Sequence, residues 1–349
     1  MRRLIALACA CALLAAHAFD AVTPGRALAF PRDRGAHPGH RIEWWYVTGH
    51  LDTPRGAMGF QVTFFRVRNA AAEGQPGRFA PRQVIFAHAA LADVAARRFH
   101  HDQRVARALE PVVEAREGET AVRIDDWSLV REARGYRARI PADGFVLDLE
   151  LEPTQDVLLE GDRGFSRKGP AATQASYYYS EPHLAVRGTV RTAGAAIEAH
   201  GVAWLDHEWS SELLAPGAVG WDWLGANMDD GAALMAFRIR ASDGRVLWSA
   251  ATWRPRTGPA TSFAPADVEF VPVRRWRSPA SGTEYPVSMD VRVGERRFHL
   301  EPWLDDQELD ARASVGTLYW EGAVGIEGGD GSRGRGYLEL TGYAGALGL

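Results

Sequence analysis

Tight-turn dipeptides set between short alternating runs constrain this chain more than any other feature. Asp143-Gly144 separates 136–140 from 145–151, and Asp230-Gly231 precedes 232–241. Asp243-Gly244 divides that run from 245–253, and Gly294-Glu295 separates 287–293 from 297–300. Asp-Gly readily adopts the positive-φ geometry of two-residue hairpin loops, so these breaks read as hairpins. Helical periodicity is scarce, and the best helix candidate is a short one at 91–98. Many hairpin-linked strands without βαβ alternation describe an all-β chain of barrels or sandwiches. The run 232–240 (AALMAFRIR) starts continuously apolar and ends in alternation. That pattern suits a barrel wall around a filled or ligand-holding interior.

At 349 residues the chain exceeds one ordinary core, so two domains are expected, with the boundary at 213–220 (LLAPGAVG). Composition marks surface loops at 70–81, 254–265 and 325–336. A net charge of −4 points to neither nucleic acid nor an anionic membrane surface as partner. Arg2-Arg3, the apolar Ala-rich run 4–16 and Ala16-His17-Ala18 together read as an export signal cleaved after Ala18. The run is too short to span a bilayer. Cys9 and Cys11 are the only cysteines, and both lie inside this signal without a good lipobox around them. The mature chain is therefore expected to have no disulfide, thiol nucleophile or cysteine-bound metal.

Two aromatic–acidic runs carry the chemistry. On a strand, Glu43, Trp45 and Val47 share one side and Trp44, Tyr46 and Thr48 the other. Glu43 is either a carboxylate set beside a large ring for use, or a core residue paired with Arg66 or Arg68. In the second run Trp204, Asp206 and Glu208 share a face, while His207 and Trp209 share the opposite one. Two carboxylates and a tryptophan on one face are costly to bury as charges. A carboxylic acid kept neutral in such a site is a usable general acid. The alternative is a solvent-facing strand end paired with arginines.

Tyr177-Tyr178-Tyr179 offers ring area and hydroxyls suited to a pocket wall, or simply to sheet packing. Pro182 then marks a strand edge or bend. Trp221-Asp222-Trp223 repeats the aromatic–acid–aromatic pattern. His88, alone on an apolar run, reads as a core histidine before it reads as a catalyst, and His100-His101-Asp102 reads as a solvated turn. The chain contains no nucleophile elbow, phosphate-binding loop, dinucleotide fingerprint or H-E-x-x-H motif. Ser176, Ser180 and Ser210 sit on no recognisable nucleophile turn. Asp206, His207 and Glu208 point alternately to opposite faces, so no metal and no cofactor is expected there.

Several segments resemble the AttH-like / carotenoid 1,2-hydratase family: HPGHRIEWWYVTGHL (37–51), GFQVTFFR (59–66), FAHAALAD (86–93), YYYSEPHLAVRGTV (177–190), GVAWLDHEWSS (201–211), GWDWLGANMDDG (220–231), YWEGAV (319–324) and GRGYLELTGY (334–343). They follow in order over nearly the whole mature chain. The resemblance implies two lipocalin-like (calycin-type) antiparallel β-barrels packed together. After the 1–18 signal, these cover 30–215 and 216–349, in a periplasmic or secreted protein. It also implies an apolar isoprenoid or lipid-like ligand.

Some members of that family are hydratases that add water across an alkene. For such a reaction the resemblance casts Asp206 as the acid, with His207, Glu208 or His88 orienting water. Glu43, Trp45, Tyr46, Tyr177, Tyr178, Trp204 and Trp221 complete the expected ligand site. Competing readings are a non-catalytic carrier serving ABC-transporter components, a secreted hydrolase, and a purely structural Trp-rich junction with Asp206 and Glu43 paired to arginines.

Overall fold

The computed structural model describes residues 19–212 and 214–346. The expected export signal with its expected cleavage site, and both cysteines, lies outside these residues, as does Leu213 of the expected boundary. The first sheet runs through β1 (Ile42–Thr53), β2 (Gly56–Arg68), β3 (Gln83–Asp93), β4 (Arg98–Arg107), β5 (Val113–Ala115), β6 (Ala121–Ile124), β7 (Trp127–Glu132), β8 (Gly135–Ala142), β9 (Phe145–Pro153), β10 (Leu158–Leu159), β11 (Phe165–Arg167), β12 (Ala175–Arg191) and β13 (Ile197–Glu212). The second comprises β14 (Ala218–Met228), β15 (Ala233–Ala241), β16 (Val246–Arg254), β17 (Thr261–Phe263), β18 (Val268–Arg277), β19 (Glu284–Val293), β20 (Arg296–Pro302), β21 (Glu308–Ala311), β22 (Thr317–Gly328) and β23 (Arg333–Leu340). A single-turn helix, α1 (Arg312–Val315), precedes β22.

All pairings in both sheets are antiparallel. The first sheet is ordered β4-β3-β2-β1-β13-β12-β9-β8-β7-β6-β5, with β10 and β11 also on β12. The second is ordered β17-β16-β15-β14-β23-β22-β20-β19-β18, with β21 on β22. β4 returns against β6 and β8, and β18 against β15 and β16, which curls each sheet into a lipocalin-like barrel. The Asp-Gly turns behave as their chemistry requires. Gly144, at φ 80°, joins β8 to β9, and Gly244, at φ 83°, joins β15 to β16.

Both barrel interiors are filled. Trp45, Phe60, Trp127, Leu149, Tyr179 and Trp209 pack inside the first, and Leu224, Phe298, Trp320 and Leu338 inside the second. A third cluster, including Tyr46, Tyr178, Trp204, Trp223, Phe237 and Tyr337, lies between the barrels. The first sheet is therefore buried on both faces, and open space for a ligand occurs between the barrels.

Three local expectations fail. The 91–98 segment is the end of β3, a turn and the start of β4, with Leu91 opposite Phe60; the Asp93 carboxylate accepts from the Ala96 N–H at 2.9 Å to close the turn. His100-His101-Asp102 lies within β4. The Gly-rich 325–336 stretch is the β22–β23 hairpin, because a Cβ on Gly336 would sit 2.8 Å from the Gly225 carbonyl of neighbouring β14. Glycine there signals close strand approach.

Candidate functional site

Strand register builds the site. Across β3, β2, β1, β13 and β12, Phe86, Phe65, Trp44, Glu208 and Tyr178 are successive partners. Two residues along each strand, the same face carries His88, Thr63, Tyr46, Asp206 and Ser180. This is the outer face of the first barrel. Facing it, Phe237, Trp223, Glu339 and Glu321 form one row across β15, β14, β23 and β22. Between the two faces lies a cavity of about 630 Å³, walled by rings such as Trp44, Phe65, Trp221, Trp223 and Phe237. Its charged or acidic lining is Asp206, Glu208, Lys168, Glu321 and Glu339, with Arg41 and Glu212 also on the wall.

Asp206 is the most heavily hydrogen-bonded acid of the cavity lining. Its Oδ1 accepts from Ser180 Oγ and Trp204 Nε1, each at 2.6 Å, and its Oδ2 from the Tyr178 hydroxyl at 2.6 Å. Tyr178 in turn accepts from Trp223 Nε1 at 3.1 Å, which ties the acid to the second barrel. Burial pushes the Asp206 carboxyl up to about 7 despite these donors, with the charge of Glu208 adding to the rise. Behind it, burial pushes Glu160 up to about 8. Ser180 Oγ lies 2.9 Å from Glu160 Oε1. One hydroxyl proton cannot serve both acids, so one of these two hydrogen bonds is donated by a protonated carboxyl. Glu208 is ion-paired. It accepts from Ser176 and pairs with Lys168 Nζ at 2.9 Å. That ammonium also sits 4.1 Å from the Phe237 ring centre and 4.7 Å from that of Tyr178.

The sequence-selected residues divide by face. Asp206, Glu208, Tyr46, His88 and Trp221 line the cavity, and Tyr178 and Trp204 stand behind Asp206. Glu43, Trp45, Tyr177 and His207 turn into the first barrel, on the opposite face of the same strands. From there they do not reach the cavity, which corrects their expected ligand and water-orienting roles. Glu43 accepts from Arg66 Nε at 2.8 Å, His37 Nδ1 at 2.7 Å and His207 Nε2 at 2.9 Å. Burial alone would raise the Glu43 carboxyl, but Arg66, His37 and His207 hold it well below the usual range.

The paired-core reading of Glu43, with Arg66 as its partner, thus describes its surroundings. His37, Glu43 and His207 are the one grouping of metal-ligand types among the described residues. Their ligand atoms are already spent on one another, and the Arg66 guanidinium shares the carboxylate. The donor set does not fit a cation.

Asp222 likewise turns away from the cavity, onto Arg238 at 2.5 Å and Arg240 at 3.0 Å. His88 is a cavity residue, but burial pushes it down to about 3. Its Nδ1 meets the Tyr319 hydroxyl at 2.5 Å and its Nε2 meets Ser314 Oγ at 2.8 Å. Gln103 Oε1, fixed as an acceptor by the Ser314 N–H, takes the Ser314 hydroxyl proton at 2.6 Å. The Ser314 hydroxyl thus has Gln103 Oε1 and the Ala311 carbonyl as acceptors besides the His88 ring. Ser176, Ser180 and Ser210 direct their hydroxyls to carboxylates or the Ala175 carbonyl, and none has a histidine partner.

Sequence reading missed Glu321, Glu339, Glu160 and Lys168. Glu321 and Glu339 carry only part of the signal that marked Asp206, a single acid within an apolar strand run: Tyr319-Trp320-Glu321 and Leu338-Glu339-Leu340. Burial raises Glu321 well above the usual carboxyl range, with the charge of Glu339 adding. Burial pushes Glu339 up to about 7, against a hydrogen bond from Trp221 Nε1.

A family model described as AttH-like matches residues 21–343. A crystal structure from Nitrosomonas europaea assigned to AttH superposes with a TM-score of 0.87 at 52% identity, covering 93% of this chain and 100% of that one. Kievitone hydratase from Nectria haematococca shares the fold, with a TM-score of 0.71 at 14% identity over 94% of this chain and 96% of its own. CghA with Sch210972 gives 0.50 at 14% identity, covering 88% and 89%. No curated protein is significantly similar. Coverage of the whole β architecture by one family model, together with the 52% identical structure, places the chain: it belongs to the AttH-like family.

Proposed function

We propose that this protein is a hydratase, a hydro-lyase that adds water across an isolated alkene of an apolar, isoprenoid-like ligand. The observation that carries the reading is Asp206, a buried carboxyl that stays protonated to about pH 7 on the wall of an aromatic cavity. The Asp206 O–H bond breaks as the alkene π pair forms a new C–H bond, leaving a tertiary carbocation. Ring faces of Trp44, Trp221 and Trp223 stabilise that cation. A water oxygen then bonds to the cationic carbon, loses a proton and gives a tertiary alcohol. Kievitone hydratase, which shares the fold, is named for a hydration, and this is consistent support.

A carrier delivering an isoprenoid or lipid to ABC-transporter components needs the cavity but no neutral acid. A buried acid costs folding free energy, which favours chemistry over carriage. We place its action in the periplasm or outside the cell, a reading that the signal-like sequence of residues 1–18 supports. The test uses geranylacetone and a prenylated phenol in H₂¹⁸O, with mass spectrometry of the product. Wild-type protein should yield ¹⁸O-labelled tertiary alcohol, and Asp206→Asn none, with an unchanged circular dichroism spectrum. Full turnover by Asp206→Asn, or recovery of both compounds unchanged from wild type, would sink the proposal.

A further inference from the structure

We infer that Glu339, held by its cross-strand partner Glu321, is the base that takes the proton from the added water. The inference rests on the hydratase reading. Glu321 and Glu339 sit directly opposite each other on β22 and β23, and both face the cavity. Like charges in that register repel, and neither residue is in an ion pair among the described residues. Side chains of the cavity wall anchor both carboxyls, with Tyr319 acting on Glu321 alongside Tyr46. Tyr46 donates its hydroxyl to Glu321 Oε2 at 2.8 Å, and Trp221 donates Nε1–H to Glu339 Oε2 at 3.0 Å.

Glu321 Oε1 is buried without a hydrogen-bond partner. A single proton on Glu321 relieves the repulsion and leaves Glu339 as the carboxylate. Glu321 is 1% exposed, whereas Glu339 is partly open. Water therefore reaches Glu339. Asp206 projects from the first barrel and Glu339 from the second, so a flat alkene between them meets the acid on one face and base-bound water on the other.

The proton balance closes. Asp206 gives one proton to carbon, the water oxygen bonds to the cation, and Glu339 accepts the proton that this water releases. Proton return from Glu339 to Asp206 through cavity water resets both groups.

The test follows geranylacetone turnover in D₂O by the full-length protein. Glu339→Gln should lower kcat by about 10²–10⁴-fold with little change in KM. Deuterium should still enter the recovered alkene, because Asp206 continues to protonate it and the cation collapses back. Glu339→Ala should regain activity at least tenfold with added formate, a rescue that a structural role would not permit. Glu339→Gln within threefold of wild-type kcat overturns the inference, as does alkene free of deuterium together with no formate rescue. Wild type that hydrates no probe fails the hydratase reading itself and removes the base assignment with it.

Discussion

Asp206 accepts three hydrogen bonds and still holds its proton to about pH 7, because full burial outweighs donors that are themselves neutral. That balance has a stability consequence of definite sign. The unfolded chain ionises Asp206 near its ordinary value of 3.8, while the folded chain does so only near 7. Between these values the folded state binds more protons, so the contribution of Asp206 to stability is complete below about pH 4 and is lost as pH rises through 7. Asp206→Asn should therefore raise stability by about 1–3 kcal/mol at pH 8 and bring no gain at pH 4, read from urea unfolding at both values. Equal effects at the two values would show that the carboxyl is not held neutral. Activity should follow a narrow bell centred near pH 7. It falls above as Asp206 loses its proton and below as Glu339 gains one.

β13 is the element on which both barrels converge. Leu205, His207 and Trp209 point into the first barrel, while Trp204, Asp206 and Glu208 point to the second. Alternation in the sequence separated these sets correctly. It could not say which faced the cavity, because the strand is buried on both sides and large aromatics occupy both faces. Glu43 and Asp206 therefore looked alike in sequence, although one is a saturated ion pair and the other a neutral acid. Lys168 was illegible for a different reason. It follows β11 and reaches Glu208 only through the pairing of β11 and β13 on β12. Replacing it tests how this element is anchored. Lys168→Met should cost about 3–5 kcal/mol, since it leaves the buried Glu208 carboxylate without its ion-pair partner. Adding Glu208→Gln should recover much of that loss. A double-mutant cycle in urea measures the coupling, and additive losses would mean that the two side chains do not couple in the fold.

At the scale of the whole molecule, the acid, the cavity and the carboxyl pair exist only because two filled barrels dock outer face to outer face. Hairpin spacing announced the strands, and family motifs announced the barrels. Neither located the ligand space, which depends on contacts between residues far apart in the chain, such as Tyr46 with Glu321 and Trp223 with Tyr178. The sheets approach closely at Gly59 of β2, where a Cβ would stand 2.5 Å from Ala323 Cβ of β22. Valine at this position is a wedge that neither rigid sheet can absorb. Gly59→Val should keep each barrel's own core, since Gly59 faces Ala323 rather than either interior, but it should part the two faces. Water then enters, the Asp206 carboxyl falls back toward the ordinary carboxylate range, and the acid is lost at neutral pH. The expected signature is threefold: one calorimetric transition split or broadened, new binding of a hydrophobic dye, and the alkaline limb of the activity profile moved to lower pH. The three should move together, because each reports the same seam. A Gly59→Val protein with dye binding and split melting but an unmoved alkaline limb would mean that the neutrality of Asp206 belongs to the first barrel alone.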